Sequence, residues 1–415
     1  MYRRLLLNIV GGFFARSVNL ATSLVLVPLT VGGLGSEAYG IFAMALSATA
    51  VFAYSDLGLG LAVVNQIAGS SAGGARAAIT RTWVFLCGIA CGLAALGLLL
   101  LLGGGLPGLP FGATGRALTL ALIVTAMGIP SALATRILFA LNRNFEANLW
   151  IAAGKVAAVA AVGACRFFDA GLDLYLTALL GAPIAVNWLM TAVVFLRQRP
   201  DLRPARADLE IRALPADLRR GLAFTVLQLG IFAETGVDNL LVGAIRGHDA
   251  VYAYDLMARL FGYIAALVSI GAFPLWPALR EMLAGGGNAN ARRLYRLAVG
   301  AAALGALVLA VVFVRYHAAI ITLWSGLAYA PDTPLAAAMG LFAVLTSVAT
   351  IQSMALNASN AIAYQVAIQL AVIPVLFTLK ALLLANVSES AMVLSVCAVY
   401  LVRIALFQRR LGGRP

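Results

Sequence analysis

The chain has 415 residues, of which 62% are hydrophobic and only 11% charged, and its net charge is +13. A soluble domain of this size has no use for so much apolar surface, and continuous Ala/Leu/Val/Gly runs exclude the short alternating segments of a β-barrel. A positive balance would suggest nucleic acid in a soluble protein; here most of it sits in short loops between apolar runs, so no nucleic-acid partner is expected.

In chain order, runs long enough to cross a bilayer fall near 5–31, 39–66, 83–102, 117–141, 149–168, 174–196, 221–245, 251–277, 294–314, 335–357, 364–385 and 390–407, about twelve in all. Arg3 and Arg4 before the first run resemble a signal peptide. That run is too long for a cleaved segment and leads into further spans, so it reads as a retained first helix. Eighteen of the 29 basic residues fall in loops on the N-terminal side and three in loops on the other, the remaining eight lying within spans. The positive-inside rule then puts both termini in the cytoplasm, which an even number of spans requires. Pro28, Pro130, Pro183, Pro274 and Pro374 lie inside spans as expected kinks, with Pro28 the candidate for a functional bend.

The halves look duplicated. Gly35-Ser36-Glu37-Ala38 follows the first span and Gly247-His248-Asp249-Ala250 the seventh, 212 residues on. Arg81 and Arg293 have the same offset, and Ala140-Leu141-Asn142 matches Ala355-Leu356-Asn357 at 215. The expected fold is all-α, two six-helix bundles related by a pseudo-twofold axis along the membrane normal, with a cavity between them. The bundles would be 1–200 and 220–415, with the basic, proline-containing stretch 201–219 as cytoplasmic connector.

Charged residues within spans point to function, because each costs roughly 2.5–3.5 kcal/mol at the bilayer centre on insertion scales. Arg16, Lys155 and Arg259 would suit an anionic substrate, arginine binding phosphate through two parallel hydrogen bonds. Asn19, Gln228 and Asn239 would add polar lining. Asp56, Glu234 and Asp238 are the candidate ion-coupling acids, Glu234 and Asp238 lying one turn apart, where two buried carboxylates raise each other's pKa. The alternative is internal pairing: Arg16 with Asp56, Arg259 with Asp255 at i,i+4, and the acids, Glu234 among them, as counter-ions for buried arginines. Arg136, Arg296 and Arg403 lie near the cytoplasmic ends, where they would snorkel; Arg166, Asp255 and Lys380 lie toward the outer ends. Four cysteines sit in apolar spans and neither of the two histidines is near them, so no metal site is expected. No cofactor and no enzyme signature is expected either.

Pro28-Leu29-Thr30-Val31 through Leu34-Gly35-Ser36-Glu37-Ala38-Tyr39-Gly40 resembles the first helix-to-helix turn of polysaccharide-export flippases, as does Ser55-Asp56-Leu57-Gly58-Leu59 in the second span. Val237-Asp238-Asn239-Leu240-Leu241-Val242 and Ala250-Val251-Tyr252-Ala253-Tyr254 resemble their seventh and eighth spans. These proteins belong to the multidrug/oligosaccharidyl-lipid/polysaccharide exporter superfamily. The resemblance implies a bacterial inner-membrane, ion-coupled flippase that moves an undecaprenyl-diphosphate-linked oligosaccharide to the periplasmic leaflet by alternating access, for O-antigen or exopolysaccharide assembly. It would act as a monomer among membrane lipids, with a polysaccharide polymerase as a possible partner. A cation-coupled multidrug exporter of the same fold is the alternative; a cavity for cationic drugs would be dominated by acids.

Overall fold

A computed structural model describes residues 2–50, 59–60, 63, 67, 72–105, 112–209, 211–215, 218–219, 225, 229–230, 232–272, 275–285, 288–359 and 361–412. Helix dominates, and no strand occurs among the described residues. Ten described helices are long and apolar enough to cross a membrane. The second and seventh expected spans fall partly outside the described residues. Leu99, Leu102 and Leu323 are 69%, 83% and 88% exposed, a surface that water would not tolerate and lipid would.

The chain divides into two compact units, Met1–Phe232 and Ala233–Pro415. The first holds α1 (Tyr2–Ala50), α2 (Ala72–Leu102), α3 (Ala113–Gly128), α4 (Ala132–Ala140), α5 (Asn144–Phe167) and α6 (Leu172–Val193). α1 stays helical through Pro28; its one non-helical residue is Gly35, at φ 75°, ψ 178°. That backbone region is essentially open to glycine alone. Buried hydroxyls along α1 bond back to the helix, Thr22 to the Val18 carbonyl at 2.8 Å and Thr30 to that of Leu26 at 2.7 Å, so neither hydroxyl is stranded in an apolar setting. α5 packs on both α1 and α6, and α3 on α2 and α6. Trp83 stands edge-on to Trp188 and Phe195, at 5.8 and 5.7 Å between ring centres, beside a core built from Ile79, Leu86, Leu133 and Ile137.

The connector folds onto this unit. After a π-turn at Val194–Gln198 it runs through short 3-10 turns at Pro200–Leu202 and Arg206–Asp208. Arg76 pairs with Asp208 at 2.7 Å, the Ala205 N–H donates to the Thr80 hydroxyl at 3.2 Å, and Leu202 is buried. Arg199 and Asp201 pair at 2.7 Å; their mutual hydrogen bond raises the guanidinium pKa and holds the carboxyl below its ordinary value.

The second unit holds α7 (Asp238–Arg246), α8 (His248–Ala272), α9 (Leu275–Ala284), α10 (Asn288–Ser325), α11 (Thr333–Ala358), α12 (Ile362–Asn386) and α13 (Glu389–Gly412). Asp332 starts α11 by accepting from the Leu335 N–H at 2.9 Å, with Pro334 in the first turn. α11 lies at the centre, against α8, α9, α10 and α13. Its buried face is rich in small residues, including Ala336, Ala338, Gly340, Ala343, Ser347 and Ala349. Small residues let helices approach closely where lipid supplies no hydrophobic drive; a Cβ on Gly340 would lie 3.1 Å from Val314 and 3.4 Å from Phe261. α13 opens with Glu389 and ends with Arg409 and Arg410, matching its dipole. Only Gly247 separates α7 from α8, at φ 90°, ψ 175°. Its backbone thus repeats that of Gly35, at the 212-residue offset expected for a duplication.

Candidate functional site

The second unit contains a buried polar cluster built around a π-turn. Residues Phe232–Gly236 form that turn, immediately before α7. Such a turn is wider than an α-helical one, disturbs the regular hydrogen-bond ladder and is frequent at functional sites. Here it leaves the carbonyls of Ala233 and Glu234 to be met by a side chain, Lys380 from α12. The Lys380 ammonium lies 3.1 Å from the Ala233 oxygen, touches the Glu234 oxygen and lies 2.5 Å from Asp238 Oδ1. Lys380 is 0% exposed. The other Asp238 oxygen accepts from the Tyr254 hydroxyl at 2.8 Å.

The Glu234 side chain serves a second set of partners. Arg403 donates to Oε1 at 2.5 Å, Gln369 to Oε1 at 2.9 Å and Tyr400 to Oε2 at 2.7 Å. The Arg403 guanidinium also lies 3.8 Å from the centre of the Tyr400 ring, a cation–π contact. A third pair completes the cluster: Arg259 donates to Asp255 at 2.6 Å, and Asn239 to the other oxygen of that carboxylate at 2.7 Å. Three acids thus face three bases, each acid hydrogen-bonded twice or more. This is the condition under which buried charge is tolerated.

Several expectations change accordingly. Glu234 and Asp238 each hold a base, as the counter-ion alternative has it for Glu234, rather than facing each other as repelling carboxylates. Arg259 is bound to Asp255, the internal pairing that its i,i+4 spacing left open, and Asn239 spends an amide donor on the same acid. Arg403 does not snorkel: its side chain is 12% exposed and turned inward onto Glu234. Lys380, expected only to lie toward the outer end of its span, is the most enclosed charge of the cluster. Its signal in the sequence was an isolated charge within Leu376–Leu384. Asp56 and Gln228 lie outside the described residues.

In the first unit Arg16 and Lys155 are half-buried on α1 and α5, and Asn19 is exposed. Gly11 lies against Phe145 and Gly33 against Arg166, so the two helices run parallel at an offset of 133–134 residues. Lys155 is therefore level with about residue 21 of α1, roughly 8 Å along the axis from Arg16. Among the described residues Lys155 has no hydrogen-bond or ion-pair partner.

No family model matches the chain, and no curated protein matches it. Solved structures do. One described as the inward-facing conformation of a multidrug resistance MATE family transporter of the MOP superfamily matches at TM-score 0.66 and 14% identity, over 95% of this chain and 94% of that one. The outward-facing conformation of such a transporter matches at 0.63 and 14%, over 99% and 95%. A MOP superfamily transporter from Pyrococcus furiosus, described by a reversed polarity of its binding pocket that suggests a different function, matches at 0.64 and 14%, over 99% and 95%. The chain therefore has the fold of the MOP-superfamily multidrug transporters.

Proposed function

We propose that this chain is a membrane transporter that works by alternating access and exports amphiphilic molecules from the cytoplasm. The fold supports this, since it matches structures described in both inward-facing and outward-facing conformations. Multidrug export is the substrate class that these neighbours favour. The excess of basic residues in loops on the N-terminal side supports cytoplasmic termini. For coupling, Glu234 and Asp238 are the acids of choice. Each holds a base, so a proton arriving at either must break an ion pair, which links ion binding to helix movement.

One observation favours a second reading, a flippase for an undecaprenyl-diphosphate-linked oligosaccharide. The described acids of the buried cluster are all spoken for by bases, whereas Lys155 is a half-buried base with no partner among the described residues. That distribution suits an anionic head group better than a cationic drug. The Pyrococcus protein is a precedent for a changed pocket polarity within this fold.

Proteoliposomes holding the full chain separate the two. Multidrug export requires gradient-driven uptake of a lipophilic cationic dye. The flippase reading requires transfer of a labelled polyprenyl-diphosphate saccharide between leaflets, abolished or reduced at least tenfold by Lys155→Met, with the dye left unmoved. If neither compound moves, the transporter reading fails.

A further inference from the structure

Lys380 has more oxygen around it than an ion pair needs. An ammonium carries three donors, and three acceptors meet them: two main-chain carbonyls of the π-turn, from Ala233 and Glu234, and one oxygen of Asp238. Carbonyls freed by an irregular turn inside a membrane helix, joined by a carboxylate, are a donor set for a monovalent cation. The charge fits as well. The Glu234 carboxylate is taken by Arg403, Tyr400 and Gln369, so the set facing Lys380 carries the single negative charge of Asp238. Tyr254 holds the second Asp238 oxygen, fixing the carboxylate whatever occupies the position opposite. The amine reaches this place from α12, an element separate from the turn that supplies the carbonyls.

We propose that the π-turn at Phe232–Gly236 and Asp238 form a monovalent-cation site, and that the Lys380 ammonium is its tethered occupant. The wild-type site takes no free cation, and a sodium ion enters once the amine is removed, water filling the room left by the lysine stem. The inference concerns this site alone and holds for either substrate class.

The test is thermal unfolding of the full-length protein in sodium chloride and in choline chloride at equal concentration, followed by the fluorescence of its five tryptophans. Wild type is expected to melt at the same temperature in both salts. Lys380→Ala is expected to melt about 3 °C or more higher in sodium, the size of shift a well-occupied site gives. Lys380→Ala combined with Asp238→Asn is expected to lose that difference. Equal melting of Lys380→Ala in the two salts overturns the proposal. So does a sodium shift that is equally large in the wild type or survives in the double variant. Should Lys380→Ala fail to fold, Lys380→Ser, whose short side chain leaves the carbonyls open, carries the same comparison with the same outcomes.

Discussion

The chain has only two lysines among its 29 basic residues, and each falls on the fifth expected span of its half. Their surroundings are opposite. Lys380 is fully buried, yet each of its donors has an oxygen waiting. Lys155 is half-buried, and nothing among the described residues answers it. Depth alone therefore does not decide what an intramembrane charge is for. A charge whose partners are fixed in the fold holds elements together. One left unanswered costs stability, and under the flippase reading it is the charge that would meet an anionic head group.

This contrast can be broken by substitution. Lys380→Met strands the Asp238 carboxylate and is expected to cost about 3–5 kcal/mol. Adding Asp238→Asn should recover most of that loss, as measured by chemical or thermal unfolding in detergent. A double variant as weak as the single would mean that the carbonyls, not the acid, make Lys380 necessary. Glu234→Gln leaves Arg403 without its counter-charge but stacked on Tyr400, so a smaller loss of about 2–3 kcal/mol is expected. It should also reduce dependence of transport on a proton gradient. Lys155→Met is expected to lower stability by less than about 0.5 kcal/mol or to raise it, since it removes an unpaired charge. A large loss there would show that Lys155 is structural after all. The smallest effect belongs to the connector. Asp201 has a lowered pKa in the folded state, so its contribution exists above the ordinary carboxylate range and disappears as pH falls through the depressed value. The pair is exposed, so Asp201→Asn should shift the unfolding midpoint at neutral pH by almost nothing and remove only a slight acid-side slope.

Much of the fold was legible because bilayer thickness writes itself into the sequence as long apolar runs. The duplication was legible too, because a corner that only glycine can turn leaves Gly35 and Gly247 at one spacing. Among the pairs, Asp255 with Arg259 was within reach, since i,i+4 neighbours share a helix face. Glu234 with Arg403 was not: 169 residues separate them, and nothing local says that α13 brings its arginine to the π-turn. The partners of Lys380 were hidden for a related reason. Position along a span gives only an approximate depth, and a long side chain reads equally well as snorkelling out or reaching in. The π-turn itself carries no sequence signature beyond a glycine at its end, at Gly236.

The corners at Gly35 and Gly247 also govern how the molecule can be handled. Each is a single residue between two helices, so neither offers a loop for a protease to cut or an epitope tag to occupy. Reagents that trace topology by reaching loops would pass over both bends. A tag inserted at either would force a second residue into a backbone conformation that side chains reject. The glycine turn closing α2, with Gly104 and Gly105 both at positive φ, is a more forgiving place to insert one.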